Sequence, residues 1–194
     1  MQAVNLALRR IREVSLANKI ILSLGMAVLT GILAQVRLFL PWTPVPVTCQ
    51  TFAVLLAGAV LGKYWGGISQ VIYVALGIAG IPWFNGATGG YSVIMGPTGG
   101  YLLGFVLAAL FVGHVIDTYN RSKGFYQMLG IMVFANFILI YLPGIIQLNI
   151  WFYLFKGSSL NITQLVYAGV MPFVAGDAIK IVSAALIAKA IIPK

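Results

Sequence analysis

The chain has 194 residues, of which 61% are hydrophobic and 8% charged, with a mean hydropathy of +1.00. A soluble domain carries roughly 25% charged residues, and a chain this small cannot hide so much apolar surface from water, so lipid is the solvent for most of it. The net charge of +9 comes from 12 basic and 3 acidic residues; the bases fall between hydrophobic runs, where they set membrane topology rather than bind nucleic acid.

Each membrane span needs about 20 apolar residues, so the length predicts one transmembrane domain over 1–194, all-α, with six helices and no separate soluble domain. Residues 1–18 form a basic segment with Arg9, Arg10 and Arg12. It reads either as a cytoplasmic tail or as a short amphipathic helix laying Leu6, Ala7, Ile11, Val14 and Leu16 on a membrane surface. It is not expected to be a cleaved signal, because the run that follows is too long and no small-residue cleavage site ends it. The first span is predicted at 19–40, closed by Pro41 and Trp42. Two prolines within Pro44-Val45-Pro46 then forbid a helix interior. Second and third spans are predicted at 51–62 and 66–79, with Gly62 to Gly66 as the turn. Both are short for a full crossing, which suggests tilted or broken helices beside a cavity. Residues 80–98 are Gly-rich and uncharged. The fourth span is predicted at 99–117, the fifth at 125–155 with a kink at Pro143-Gly144, and the last at 171–192, opening on Met171-Pro172.

The basic residues choose an orientation. Arg9, Arg10, Arg12, Lys19, Lys63, Arg121, Lys123, Lys189 and Lys194 fall on one side of a six-span arrangement, against Arg37 and Lys156 on the other. The positive-inside rule puts both termini in the cytoplasm and the loops at 41–50, 80–98 and 156–170 outside.

Few residues are equipped for chemistry. Cys49 is the only cysteine, so an internal disulfide and a cysteine metal cluster are excluded. His114 is the only histidine, no HExxH pair exists, and Gly96-Pro97-Thr98-Gly99-Gly100 lacks the Lys-Ser/Thr ending of a phosphate loop. The chain is therefore not expected to be an enzyme, to hold a metal or cofactor, or to bind ATP itself. Asp177 is the only acid within a hydrophobic span, and Lys180 lies three positions on, on the same helix face. A charge in hydrocarbon is costly unless it meets a partner or a cavity. The pair is either a structural ion pair or part of a polar ligand site near the outer face, and the second reading is preferred because a buried pair adds little stability by itself. The outward loops supply uncharged hydrogen-bonding groups at Thr48, Gln50, Asn85, Thr88, Tyr91 and Thr98, and apolar walls at Trp42, Trp83, Phe84 and Tyr91. Ligand sites combine these two ingredients. Small residues recur at helix-packing spacing, among them Ala27 and Gly31.

Three stretches carry a resemblance: PVPVTCQTFAVLLAGAVLG at 44–62, GIPWFNGATGGYSVIMGPTGGYLLGF at 80–105 and PFVAGDAIK at 172–180. In this order they resemble the BioY family, the biotin-specific S components of energy-coupling factor (ECF) transporters. The resemblance implies the six-helix S-component fold in a bacterial cell membrane and capture of biotin from outside. It implies partners too, a transmembrane coupling protein and two ABC-type ATPases. Asp177 and Lys180 match the family's charged pair in the last span, and 80–98 matches its outward loop; with Asn85, Tyr91 and Thr88 of that loop and Gln50 of the 41–50 loop, read above as hydrogen-bonding groups, they make the expected ligand contacts. Some members carry an arginine in a GGRGG-like run of that loop; here the run is GATGG with Thr88 in its place, which leaves open the group that meets the biotin carboxylate. Ala27 and Gly31 resemble the face by which S components dock on the coupling protein. The alternatives are a relative that binds another vitamin, a solitary facilitator or proton-coupled carrier using Asp177, and a structural membrane subunit.

Overall fold

A computed structural model describes residues 15–119 and 124–192. The tail residues Leu6, Ala7, Arg9, Arg10, Ile11, Arg12, Glu13 and Val14, and the bases Arg121, Lys123 and Lys194, lie outside the described residues.

Helix α1, Leu16–Gln35, starts where the Ser15 side chain accepts a hydrogen bond from the Asn18 N–H (3.4 Å). Its buried face is built of small residues, Ser23, Ala27, Thr30, Gly31 and Ala34. Ile21, Leu24, Val28 and Ile32 make an exposed apolar stripe on the other side, the pattern of a helix at the edge of a bundle in lipid. Ala27 has no exposed surface, and a side chain on Gly31 would meet Trp83 at 3.1 Å, so both residues bring α1 close to its own chain.

After α1 the proline-bearing segment forms a two-stranded antiparallel ribbon, β1 (Arg37–Leu38) and β2 (Val47–Thr48), with Arg37 opposite Thr48. Helix α2, Gln50–Ile78, follows and folds back on itself at Gly62, whose φ of 80° and ψ of −176° are not helical. The Gln50 side-chain amide donates to the Tyr73 hydroxyl at 2.8 Å. In a straight helix those residues would stand about 34 Å apart at about 1.5 Å per residue. The turn is tighter than the five-residue one expected from the sequence. Gly62 alone reverses the chain, and the Asp117 carboxylate accepts the Lys63 N–H (2.9 Å) at the start of the returning arm. Gly58 and Gly66 let the arms touch: a Cβ on Gly66 would lie 2.7 Å from the Gly58 Cα.

The loop that follows carries a short helix α3, Tyr91–Met95, and leads into α4, Gly99–Thr118. Helix α4 is buried along Gly100, Gly104, Ala108 and Val112 and packs on both α2 and the fifth hydrophobic stretch. That stretch consists of α5 (Phe125–Phe134), a wide π segment (Ala135–Ile140) and α6 (Tyr141–Lys156). The irregularity precedes Pro143 rather than coinciding with it. A proline ring conflicts with the carbonyl four residues earlier, which is Leu139 in the π segment, and the widened turn accommodates that conflict. Helix α6 ends at Gly157 in the left-handed conformation (φ 72°). The 156–169 region, expected to be a polar loop, contains helix α7, Ile162–Gly169, opened by a reciprocal cap between Asn161 and Gln164. Helix α8, Met171–Ile191, has Pro172 in its first turn, where the missing N–H costs nothing.

Five helical stretches are long and apolar enough to cross a membrane: α1, α2, α4, α5 through α6, and α8. Six spans were expected. The difference lies in α2, which joins two of them through Gly62. Lys63, Asp117, Phe125 and Lys189 cluster at one end of the bundle, with the Lys189 ammonium 5.9 Å from the Phe125 ring. The loops after α1, α2 and α6 gather at the other.

Candidate ligand-binding site

A cavity of about 570 Å³, counting its open mouth, lies at the loop end of the bundle. Phe84, Leu102, Phe105, Tyr141 and Phe173 form its apolar wall, and Thr48, Gln50, Asn85, Asp177 and Lys180 supply the polar groups. Phe173, Asp177 and Lys180 fall at i, i+4 and i+7 on α8, which places all three on one face.

Asp177 is 1% exposed and fully engaged. One carboxylate oxygen accepts from the Asn136 amide (2.7 Å) and the Tyr141 hydroxyl (2.6 Å). The other accepts from the Thr51 hydroxyl (3.2 Å) and pairs with the Lys180 ammonium. A carboxylate has about four lone-pair sites, so this one is saturated. It draws donors from α2, the π segment, α6 and α8 to a single point. Lys180 also donates to the Thr48 carbonyl oxygen (2.7 Å). An ammonium has three N–H groups, which leaves one for a ligand.

Gln50 sits in the cavity wall, accepting from Thr48 Oγ1 (2.9 Å) and donating to Tyr73. Asn85 also lines the cavity, and its side-chain amide has no hydrogen-bond partner among the described residues. Thr88 lies outside the wall; its hydroxyl donates to the Asn85 carbonyl oxygen (2.9 Å) and its own carbonyl accepts the Phe84 N–H, which shapes the loop. Tyr91, 61% exposed, is likewise outside the wall, and Trp42 points away to the surface. Trp83 packs beside Tyr73 with its indole N–H on the Tyr73 carbonyl oxygen (3.0 Å). The structure thus brings Asp177, Lys180, Gln50 and Asn85 to one cavity and leaves Thr88 and Tyr91 on the loop that covers it.

A model of the BioY family matches residues 4–194. The chain belongs to the BioY family. A probable biotin transporter BioY of Methanothermobacter thermautotrophicus is 49% identical over 139 residues, 72% of this chain and 88% of that protein. A biotin transporter BioY of Thermotoga maritima is 40% identical over 149 residues, 77% and 82% of the two chains. The fold is similar to that of a crystallised S component for biotin from an ECF-type ABC transporter, with a TM-score of 0.79 over 90% of each chain at 22% identity.

Within this BioY-family chain, three residues around Asp177 escaped the sequence reading: Thr51, Asn136 and Tyr141. Asn136 carried a usable signal. It is a strongly polar side chain in a run otherwise read only as hydrophobic, and such residues in a span face a partner or a cavity. It is completely buried, and its Oδ1 has no partner among the described residues.

Proposed function

We propose that this chain is the biotin-capturing subunit of an ECF-type importer, working with a transmembrane coupling protein and ABC-type ATPases in a bacterial cell membrane. The observation that carries the proposal is the family match over 4–194, and the cavity chemistry supports it. Biotin's ureido ring presents two N–H donors and a carbonyl acceptor on an otherwise apolar body. Lys180 keeps one N–H for the ureido carbonyl, Asn85 offers a free donor and acceptor, and Gln50 retains a spare N–H. Asp177 receives a ring N–H by giving up its longest bond, to Thr51. Phe84, Phe105 and Phe173 enclose the thiophane ring and chain. Thr88 acts as a positioning residue for Asn85. Counting the two arms of α2 separately gives six spans, with the loop end outside and both termini in the cytoplasm.

Capture and energy input should separate, because the chain has no nucleotide motif. The purified protein in detergent should bind biotin without ATP, while concentrative uptake into vesicles should require the coupling protein and ATPases. Absence of biotin binding would overturn the proposal. Concentrative uptake by the chain alone would replace it with a solitary carrier.

A further inference from the structure

The charges in the cavity wall cancel. Asp177 is paired with Lys180, and Lys180 is also bonded to the Thr48 carbonyl. A ligand that brings its own carboxylate therefore finds no uncompensated cation inside. Two further cations lie at this end of the bundle among the described residues, Arg37 and Lys156. Lys156 sits in the last turn of α6, where the helix carbonyls favour a positive charge.

Arg37 is placed differently. It stands on β1 directly opposite Thr48, a cavity-lining residue, so the two side chains leave the ribbon on the same face. Its guanidinium lies against Gly86: a Cβ built there would overlap Nη1. Gly86, at φ +77°, directly follows Asn85, whose side chain lines the cavity. The Phe39 ring supports the guanidinium from another side, 4.6 Å from Cζ to centroid. Gln35 holds this rim together. Its amide donates to the carbonyls of Trp83 (3.2 Å) and Phe84 (3.0 Å), and its Oε1 accepts the Ala87 N–H (2.9 Å). No carboxylate meets Arg37 among the described residues: Asp117 is at the opposite end of the bundle and Asp177 is saturated.

We infer that Arg37 is the anchor for the ligand's carboxylate, binding it at the cavity rim while the ligand's ring lies deeper, beside Lys180 and Asp177. The inference rests on the proposed capture of biotin, an acid-tailed ligand. A guanidinium presents paired N–H groups that match a carboxylate, and here it is held by Gly86 and Phe39 before the ligand arrives. The position of Gly86 then acquires a reason. Any side chain there would displace the guanidinium from the rim.

The test compares biotin with biotinamide, its uncharged analogue, on the purified wild-type protein and on Arg37→Gln and Arg37→Lys, with thermal unfolding to monitor the fold. The wild type should prefer biotin. Arg37→Gln should weaken biotin binding by about tenfold or more, the scale of one charge-assisted contact. It should leave biotinamide binding unchanged, so that the preference disappears. Arg37→Lys should restore part of it. Unaltered biotin affinity in Arg37→Gln would overturn the inference, and so would an equal loss for both ligands. A wild type that binds neither ligand would instead refute the reading of the chain as a biotin-binding protein.

Discussion

Asp177 serves two purposes that respond differently to substitution. Its four donors come from four parts of the chain, so it ties the cavity wall together as well as presenting charge to it. Asp177→Asn turns a pure acceptor into a group with its own N–H donors, set against hydroxyl, amide and ammonium donors. It also leaves Lys180 without its counter-charge. Breaking one side of a buried pair costs about 3–5 kcal/mol, so Asp177→Asn should lower the unfolding temperature markedly. Lys180 is more open, with 13% side-chain exposure, and Lys180→Met should cost less stability while weakening biotin binding roughly tenfold. The double variant separates the purposes. Its unfolding temperature should rise above that of Asp177→Asn, because no unpaired ion remains. Its biotin affinity should stay at or below that of the weaker single variant. Recovery of affinity in the double variant would show that the pair is structural only and that Asn85, Gln50 and Arg37 hold the ligand without it.

The elements show which features of sequence carry structural information and which do not. Helices α4 and α8 lie within a residue or so of their expected positions, whereas α1 ends at Gln35, short of the expected 40 and Pro41, because Arg37 and Leu38 pair with Thr48 and Val47 in the ribbon. The reversal inside α2 was visible in a glycine cluster but was drawn too wide, because apolar content does not reveal that one glycine can turn the chain when a distant carboxylate caps the returning arm. The π segment was not legible at all: hydrophobicity is indifferent to whether a turn holds four residues or five. Asn136 enters the site from that segment, yet its polarity within an apolar run was a signal that the segment's geometry was not. Gly62 gives the element-scale prediction. Its φ of 80° with extended ψ is a conformation nearly reserved for glycine, and a Cβ would lie 2.5 Å from the Asp117 carboxylate oxygen. Gly62→Ala should destabilise the protein by about 1–3 kcal/mol from backbone strain, measured as a lower denaturation midpoint in detergent. An unchanged midpoint would mean that the reversal does not depend on this glycine.

For the whole molecule, the two ends differ in chemistry. One carries Lys63, Lys189 and the Asp117 cap; the other carries the glycine-rich loop, the ribbon and the cavity mouth. The proposed topology, read from the asymmetry of basic residues, orients the second end away from the cytoplasm, which is where an importer needs its opening. A reporter fused after Lys194 should therefore be active only if it is a type that works in the cytoplasm. Activity of an exported-type reporter at that point would invert the molecule and place the cavity on the wrong side for capture. The multi-pass helical organisation was legible from hydropathy alone, which acts along the chain. The cavity was not, because it is assembled from residues as far apart in sequence as Thr48 and Lys180.

The fold-back at Gly62 bears on how the protein enters the membrane. The arm 50–61 extends roughly 18 Å and the arm 63–78 roughly 24 Å at about 1.5 Å per residue, and both fall short of a hydrocarbon layer of about 30 Å. Neither arm leaving the ribosome alone has the length that a translocon accepts as a finished span. On these lengths the pair would enter as one hairpin, its two arms packed on each other at Gly58 and Gly66. With both termini in the cytoplasm, as proposed, the tip that carries Lys63 stays on the side of synthesis and crosses no hydrocarbon. The Asp117 cap comes from a residue 54 positions further along the chain than Lys63, so a hairpin inserted on its own would lack that cap until α4 had been made.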